Sequence, residues 1–132
     1  MIRYGAKALP EGGWHAIPKC YVDGALVIGD AAGFLNSMRL KGIHLAMRSG
    51  ICAAETAYDA VKAEDVSGNR LSQYAHLVES GPIKRELYPV RNVHQSFAYG
   101  LVPGLLYSGL SLVTGGWWFR DPMPGHFGHV RM

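Results

Sequence analysis

Leu26-Val27-Ile28-Gly29-Asp30-Ala31-Ala32-Gly33-Phe34-Leu35-Asn36, followed after four intervening residues by Lys41-Gly42-Ile43-His44, is the stretch on which the reading of this chain turns. The apolar run Ala25 to Ile28 is entered from an Asp23-Gly24 turn and left at Gly29-Asp30, which predicts a short strand buried on both faces. A strand ending in Gly-Asp sets a carboxylate at the carboxyl edge of a sheet, where open α/β sheets bind ligands. Such a carboxylate accepts hydrogen bonds from sugar or ribitol hydroxyls. A helix opening near Gly42 offers free N–H groups and the positive end of its macrodipole, which suit a pyrophosphate or the negative charge of a reduced flavin ring. An isolated Gly-Asp is ordinarily a turn with an N-capping acid. The extended pattern of strand, Gly-Asp-Ala-Ala-Gly, short loop, Lys-Gly and helix favours the flavin reading.

From Ile43 the apolar positions fall at 43, 47, 50, 51, 54, 57 and 61, with His44, Arg48, Glu55, Asp59 and Lys62 on another face. This predicts a long helix whose small-residue face packs closely on a neighbour. Upstream, Trp14, Ala16 and Pro18 alternate after Gly12-Gly13 and predict an edge strand. Downstream, Ser67-Gly68-Asn69 separates the long helix from a shorter one over 71–79. Gly81-Pro82 then opens a third helix, which Pro89 ends or kinks.

Of 132 residues 48% are hydrophobic, enough for one sizeable core. The net charge is +3, but only 17% of residues are charged and the cations form no stripe, which argues against a nucleic-acid partner. Lys84, Arg85, Arg91 and Arg120 flank the most apolar segment, where they would meet lipid head groups. Two separated cysteines, Cys20 and Cys52, make neither a metal set nor a disulfide framework, and a reducing setting fits them. Met1 to Pro10 carries no export signal. The chain also starts without a start-of-domain feature, so it reads as a piece of something longer.

Four blocks carry a resemblance. They are Glu11-Gly12-Gly13-Trp14-His15-Ala16-Ile17-Pro18-Lys19, the Gly-Asp-Ala-Ala-Gly-Phe-Leu-Asn run, Lys41 to Gly50 with Ala53-Ala54-Glu55, and Lys84-Arg85-Glu86-Leu87-Tyr88-Pro89-Val90-Arg91-Asn92. In this order, over residues 3–118, they resemble the electron-transfer flavoprotein:ubiquinone oxidoreductase family. Geranylgeranyl reductases share the Gly-Asp loop and less of the rest. The resemblance implies an α/β fold, part of a glutathione-reductase-like FAD-binding domain with a helix-rich C-terminal half. It implies FAD contacts at Gly29, Asp30, Ala31, Gly33, Lys41, Gly42, Ile43 and His44. It also implies electron-transfer flavoprotein and ubiquinone as partners, with peripheral attachment to the cytoplasmic face of a bacterial inner membrane or the matrix face of the mitochondrial one. The family's [4Fe-4S] cluster has no ligand set here, since two cysteines cannot supply four thiolates. The Gly-x-Gly-x-x-Gly fingerprint is absent too, so the chain alone is expected to be inactive. The expected division is 1–66 as the end of the FAD domain, 67–120 as a helical membrane-side segment and 121–132 as a tail in loop or disorder.

Asn92 to Phe119 contains no Asp, Glu, Lys or Arg. Pro103 and several glycines leave about ten helical residues from Leu105 to Thr114, too few to cross a bilayer. Leu105, Leu106, Tyr107 and Leu110, closed by Trp117 and Trp118, suit a helix lying in the interface, with a core helix as the competing reading. His126-x-x-His129 beside Asp121 could bind a metal only on a rigid element, which a Gly/Pro-rich tail does not provide. Ser108, Ser111 and Thr114 have no paired base, so no hydrolase triad is indicated. His44 lines the flavin or is a solvated first-turn residue, and Lys41 neutralises phosphate or faces water. The rival function is a non-enzymatic interaction module in which the apolar segment drives a homodimer.

Overall fold

The computed structural model describes residues 12–116 and 123. Two short strands, β1 (Tyr21–Val22) and β2 (Ala25–Leu26), precede five helices: α1 (Ile43–Lys62), α2 (Gly68–Ser80), α3 (Pro82–Leu87), α4 (Val93–Ser96) and α5 (Leu101–Thr114). Four 3-10 turns, at Trp14–Ala16, Gly29–Ala32, Tyr88–Val90 and Phe97–Tyr99, link them.

β1 and β2 form an antiparallel hairpin with Tyr21 opposite Leu26 and Val22 opposite Ala25. Its turn is Asp23-Gly24, where Gly24 takes the left-handed φ of 71° that costs glycine least. The hairpin tip holds the α1–α2 corner: Gly24 N–H donates to Val66 O (2.9 Å), and Asp23 Oδ1 accepts from Gly68 N–H (2.6 Å) at the start of α2. The expectation of a strand over 25–28 buried on both faces is corrected here. The strand ends at Leu26, with one further rung from Val27 N–H to Cys20 O (2.9 Å), and Val27 (38% exposed) and Ile28 (45%) are uncovered, because among the described residues only β1 pairs with this strand. The edge strand expected at Trp14 is likewise a 3-10 turn. Gly13 enters it at φ 77° and its carbonyl takes the Ala16 N–H, which curls the chain instead of extending it.

The main core gathers Cys20, Ala32, Phe34, Leu45, Cys52, Ala53, Tyr74, Val78, Ile83 and Leu87, so the turn before α1, α1 itself, α2 and α3 share one interior. Ser67 caps α2 by accepting from Arg70 N–H (3.4 Å), and Pro82 sits at the first position of α3, where its missing N–H costs nothing. A second cluster of Val90, Val93 and Tyr107 holds α5 against the chain before it.

α1 begins at Ile43, as its pattern predicts, but it buries the other face. Leu45, Ser49, Cys52, Ala53, Thr56 and Ala60 point inward, while Ile43 (81% exposed), Met47 (67%), Ile51 (48%) and Val61 (69%) point outward. The inward hydroxyls are satisfied within the helix, Ser49 Oγ on Ala46 O (2.8 Å) and Thr56 Oγ on Cys52 O (2.9 Å), so their burial needs no outside partner. α5 starts at Leu101, earlier than Pro103 led us to expect. Pro103 lies in its first turn, where backbone N–H groups have no intrahelical acceptor to lose. At 14 residues the helix is about 21 Å long. No helix among the described residues is long and apolar enough to cross a membrane.

Candidate site at the mouth of α1

The Gly-Asp stretch is a 3-10 turn pinned to α1. Gly29 has φ 63°, and its N–H donates to the buried Ser49 Oγ (2.9 Å). A Cβ there would stand 3.2 Å from the Ala46 methyl, so glycine lets the turn sit on the helix. Gly33 closes the turn at φ 83°, its N–H on Asp30 O (3.0 Å), while Phe34 N–H donates to Gly29 O (3.1 Å). Ala32 and Phe34 are wholly buried and anchor the turn from below. Ala31 is exposed and Asp30 half-buried. Asp30 therefore follows the strand by a few residues and lies on a turn over the first half of α1.

The chain returns through a small loop closed by Asn36 and Lys41, whose backbones pair in both directions (3.0 and 3.4 Å). The return delivers Gly42 against the segment it has just left: a Cβ there would meet Leu35 Cδ1 at 2.7 Å and Phe34 O at 3.4 Å. Glycine at 42 is thus explained by packing alone. No side chain caps the 20-residue helix α1, and Lys41, Ile43 and His44 are exposed at its start. The eight residues singled out in the sequence fall in two groups, four in the turn that packs on α1 at Ala46 and Ser49 and four at the start of α1. Gly29, Asp30, Ala31 and Gly33 form the turn on its flank, and Lys41, Gly42, Ile43 and His44 form its mouth.

Sequence reading missed the residues that hold this arrangement. Glu86, on α3, accepts from Asn36 Nδ2 at its Oε1 (3.1 Å) and meets His44 Nε2 at its Oε2 (2.7 Å). Asn36 Oδ1 takes the Arg39 N–H (3.1 Å). Burial pushes the Glu86 carboxyl up, but the bonds from His44 and Asn36, with the charges of His44 and Arg39, outweigh it and hold Glu86 below the usual glutamate range. His44 is thereby an oriented group, not a freely solvated one. Tyr74 spans from α2 to the end of the strand, its hydroxyl on Val27 O (3.1 Å). Burial chiefly raises the Tyr74 phenol to about 12. Glu86 stands inside the Lys84 to Asn92 block, which was its only signal.

On α5, Leu105 (57% exposed), Leu106 (71%) and Leu110 (41%) face outward as expected. Tyr107 does not. It is 8% exposed and packs on Val90 and Val93, because position 107 shares the inward side of the helix with Gly104, Ser108 and Ser111. Ser111 Oγ fixes that side by donating to Pro89 O (2.7 Å). Trp117, Trp118, Asp121, His126 and His129, with most of the tail, lie outside the described residues. Among the described residues no three His, Cys, Asp or Glu side chains gather into a metal set, and Cys20 and Cys52 are buried free thiols, both raised by desolvation.

No family model matches the chain. Curated relatives do. It is 40% identical over 132 residues to the mitochondrial electron transfer flavoprotein-ubiquinone oxidoreductase of Caenorhabditis elegans, covering 97% of this chain and 21% of that protein. The protein of that name from Arabidopsis thaliana is 40% identical over 110 residues (83% and 17%), and the human one 38% over 115 residues (83% and 19%). A helix-rich unit built around a glycine turn on a long helix thus corresponds to one stretch of a much longer electron-transfer oxidoreductase. Over that stretch the chain belongs to the electron transfer flavoprotein-ubiquinone oxidoreductase family, and it spans about a fifth of the length of these relatives.

Proposed function

We propose that this chain is the flavin-facing and membrane-facing part of an oxidoreductase that passes electrons from electron-transfer flavoprotein to ubiquinone, and that it is inactive by itself. The observation carrying the proposal is the open mouth of α1, an uncapped helix N-terminus flanked by a Gly-Asp turn that Ser49 locks to the same helix. The residues present fit the electron-rich or anionic edge of a bound FAD. The N–H groups of the first turn and Lys41 supply positive potential, and Asp30 supplies an acceptor for ligand hydroxyls. Gly29 N–H is committed to Ser49 and contributes only by holding the turn. FAD would supply the electron-carrying ring. The chain orients that ring at the α1 mouth through Gly33, Lys41, Gly42, Ile43 and His44, with Glu86 and Asn36 fixing His44 and the loop behind it.

The outward face of α5, where Leu105, Leu106 and Leu110 adjoin Leu101 and Val102, supports contact with the bilayer surface, from which a hydrophobic quinone enters. An apolar cleft of ≈260 Å³ opens beside it between Tyr99, Pro103, Leu106 and Leu110. The relatives' names place them in mitochondria, which supports the matrix face of the inner membrane over the bacterial alternative. The test is to replace the matched stretch of the Caenorhabditis elegans relative with this chain and measure FAD retained per polypeptide. Stoichiometric FAD supports the reading, and a folded but colourless hybrid overturns it.

A further inference from the structure

α1 has two apolar sides. At about 100° per residue, Ile43, Met47, Ile51, Ala54, Tyr58 and Val61 fall within an arc of about 80°, opposite the inward arc of Leu45, Ser49, Cys52, Thr56 and Ala60. Its charged residues, Arg48, Glu55, Asp59 and Lys62, share one edge between the two arcs, while the other edge is Ala46, Gly50 and Ala57. The outer arc is bare: Ile43 is 81% exposed, Met47 67%, Tyr58 68% and Val61 69%. It also runs into an apolar groove of ≈260 Å³ between β2 and α1, lined by Ala25, Leu26, Ala57, Ala60 and Val61. Val27 and Ile28, leaving β2 in extended backbone, are uncovered as well.

A helix apolar on opposite sides belongs in the interior of a larger body, with a layer on each side. The chain supplies one layer, made by α2, α3 and the Gly29–Ala32 turn. The second has an evident source, since about four-fifths of the relatives' length lies outside the stretch this chain matches (21% matched). We propose that the outer face of α1, with the groove beside β2, is a docking face for that remaining polypeptide. It would be occupied by an uncharged apolar layer about 27 Å long, the distance from Ile43 to Val61 along the helix. The small edge at Gly50 and Ala57 lets backbone approach closely there, and the charged edge marks where the covering layer ends. This inference rests on α1 and the family coverage and is independent of where flavin binds.

The experiment compares two settings for one pair of substitutions, Met47→Ser with Ile51→Ser. In this chain alone both side chains face water, so the pair should leave the melting temperature within about 1 °C. In the hybrid in which this chain replaces the matched stretch of the Caenorhabditis elegans relative, stripped of flavin, the same pair should lower the melting temperature by on the order of 5 °C. Leu106→Ser on α5 is the control and should move neither. Equal effects in both settings overturn the proposal, as does a hybrid that fails to accumulate as a soluble chain. If sedimentation shows the isolated chain as a stable dimer that the pair converts to monomer, a second copy is the occupant and the proposal is wrong.

Discussion

Ser49 carries more of the candidate site than any residue in the Gly-Asp run. It fills the one buried donor that a φ of 63° at Gly29 leaves pointing at the helix. Ser49→Ala strands that N–H and should cost about 1–3 kcal/mol in chemical denaturation. Ser49→Thr, which keeps the hydroxyl, should cost less. Glu86 makes a different prediction. Its folded carboxyl lies below the ordinary value, so the stability it gives is present above pH 4.5 and is lost as pH falls through the depressed folded value. Glu86→Gln should therefore lower stability at neutral pH and flatten the acid limb of a stability–pH curve, so that the two proteins converge at low pH. An unchanged acid limb would show that the His44–Glu86 contact is not maintained in solution. Tyr74 acts at the other end of the scale. Its phenol is raised to about 12 from 10.0, so the stability linked to it is full below pH 10.0 and declines as pH rises through about 12. Tyr74→Phe should remove that alkaline decline while losing the bond to Val27 O, a difference that pH-resolved unfolding detects.

At the level of elements, periodicity located α1 and α2 and the Gly81-Pro82 pair located α3, because those signals are local, although α2 starts at Gly68, within the stretch expected to separate the helices. Which side of α1 turns inward was not legible. Hydrophobicity favours Ile43, Met47 and Ile51, yet the side that meets the Gly29–Ala32 turn and α2 needs small residues and self-bonded hydroxyls. Ser49 and Thr56 look polar only until their intrahelical bonds are seen. The apparent strand at Ala25 was legible as an extended run, but its burial was not, since strand burial depends on neighbours a local pattern does not contain. That a Gly-Asp turn precedes the start of α1 was legible through spacing. The supports of the turn and the helix start, Ser49, Glu86 and Tyr74, were not, because each reaches the site across 20 residues or more of chain. On α5 the same geometry explains why Leu106 and Leu110 are outward while Tyr107 joins the core. Leu106→Glu with Leu110→Glu should leave the melting temperature nearly unchanged but reduce co-sedimentation with anionic liposomes at least several-fold. Undiminished binding would remove α5 from the membrane surface.

The described residues form a main core with a smaller cluster under α5, and they leave two large apolar exteriors, the outer arc of α1 and the outward face of α5, which is more than a free-standing small domain ordinarily shows. On the proposed function, a chain spanning a fifth of its relatives' length would offer only part of an FAD site. Purified alone it should carry little flavin, because the missing contacts no longer offset the cost of ordering the ligand. The central claim is that the α1 mouth of this chain faces the flavin. It is tested most directly by FAD retention in the hybrid with the Caenorhabditis elegans relative, comparing the unsubstituted chain with Asp30→Ala and Asp30→Asn, each checked for an unchanged melting temperature. Loss of a charge-assisted bond worth about 1.5–3 kcal/mol should weaken FAD retention roughly 10- to 100-fold in Asp30→Ala, with partial recovery in Asp30→Asn. Full retention of FAD by both variants would contradict the account.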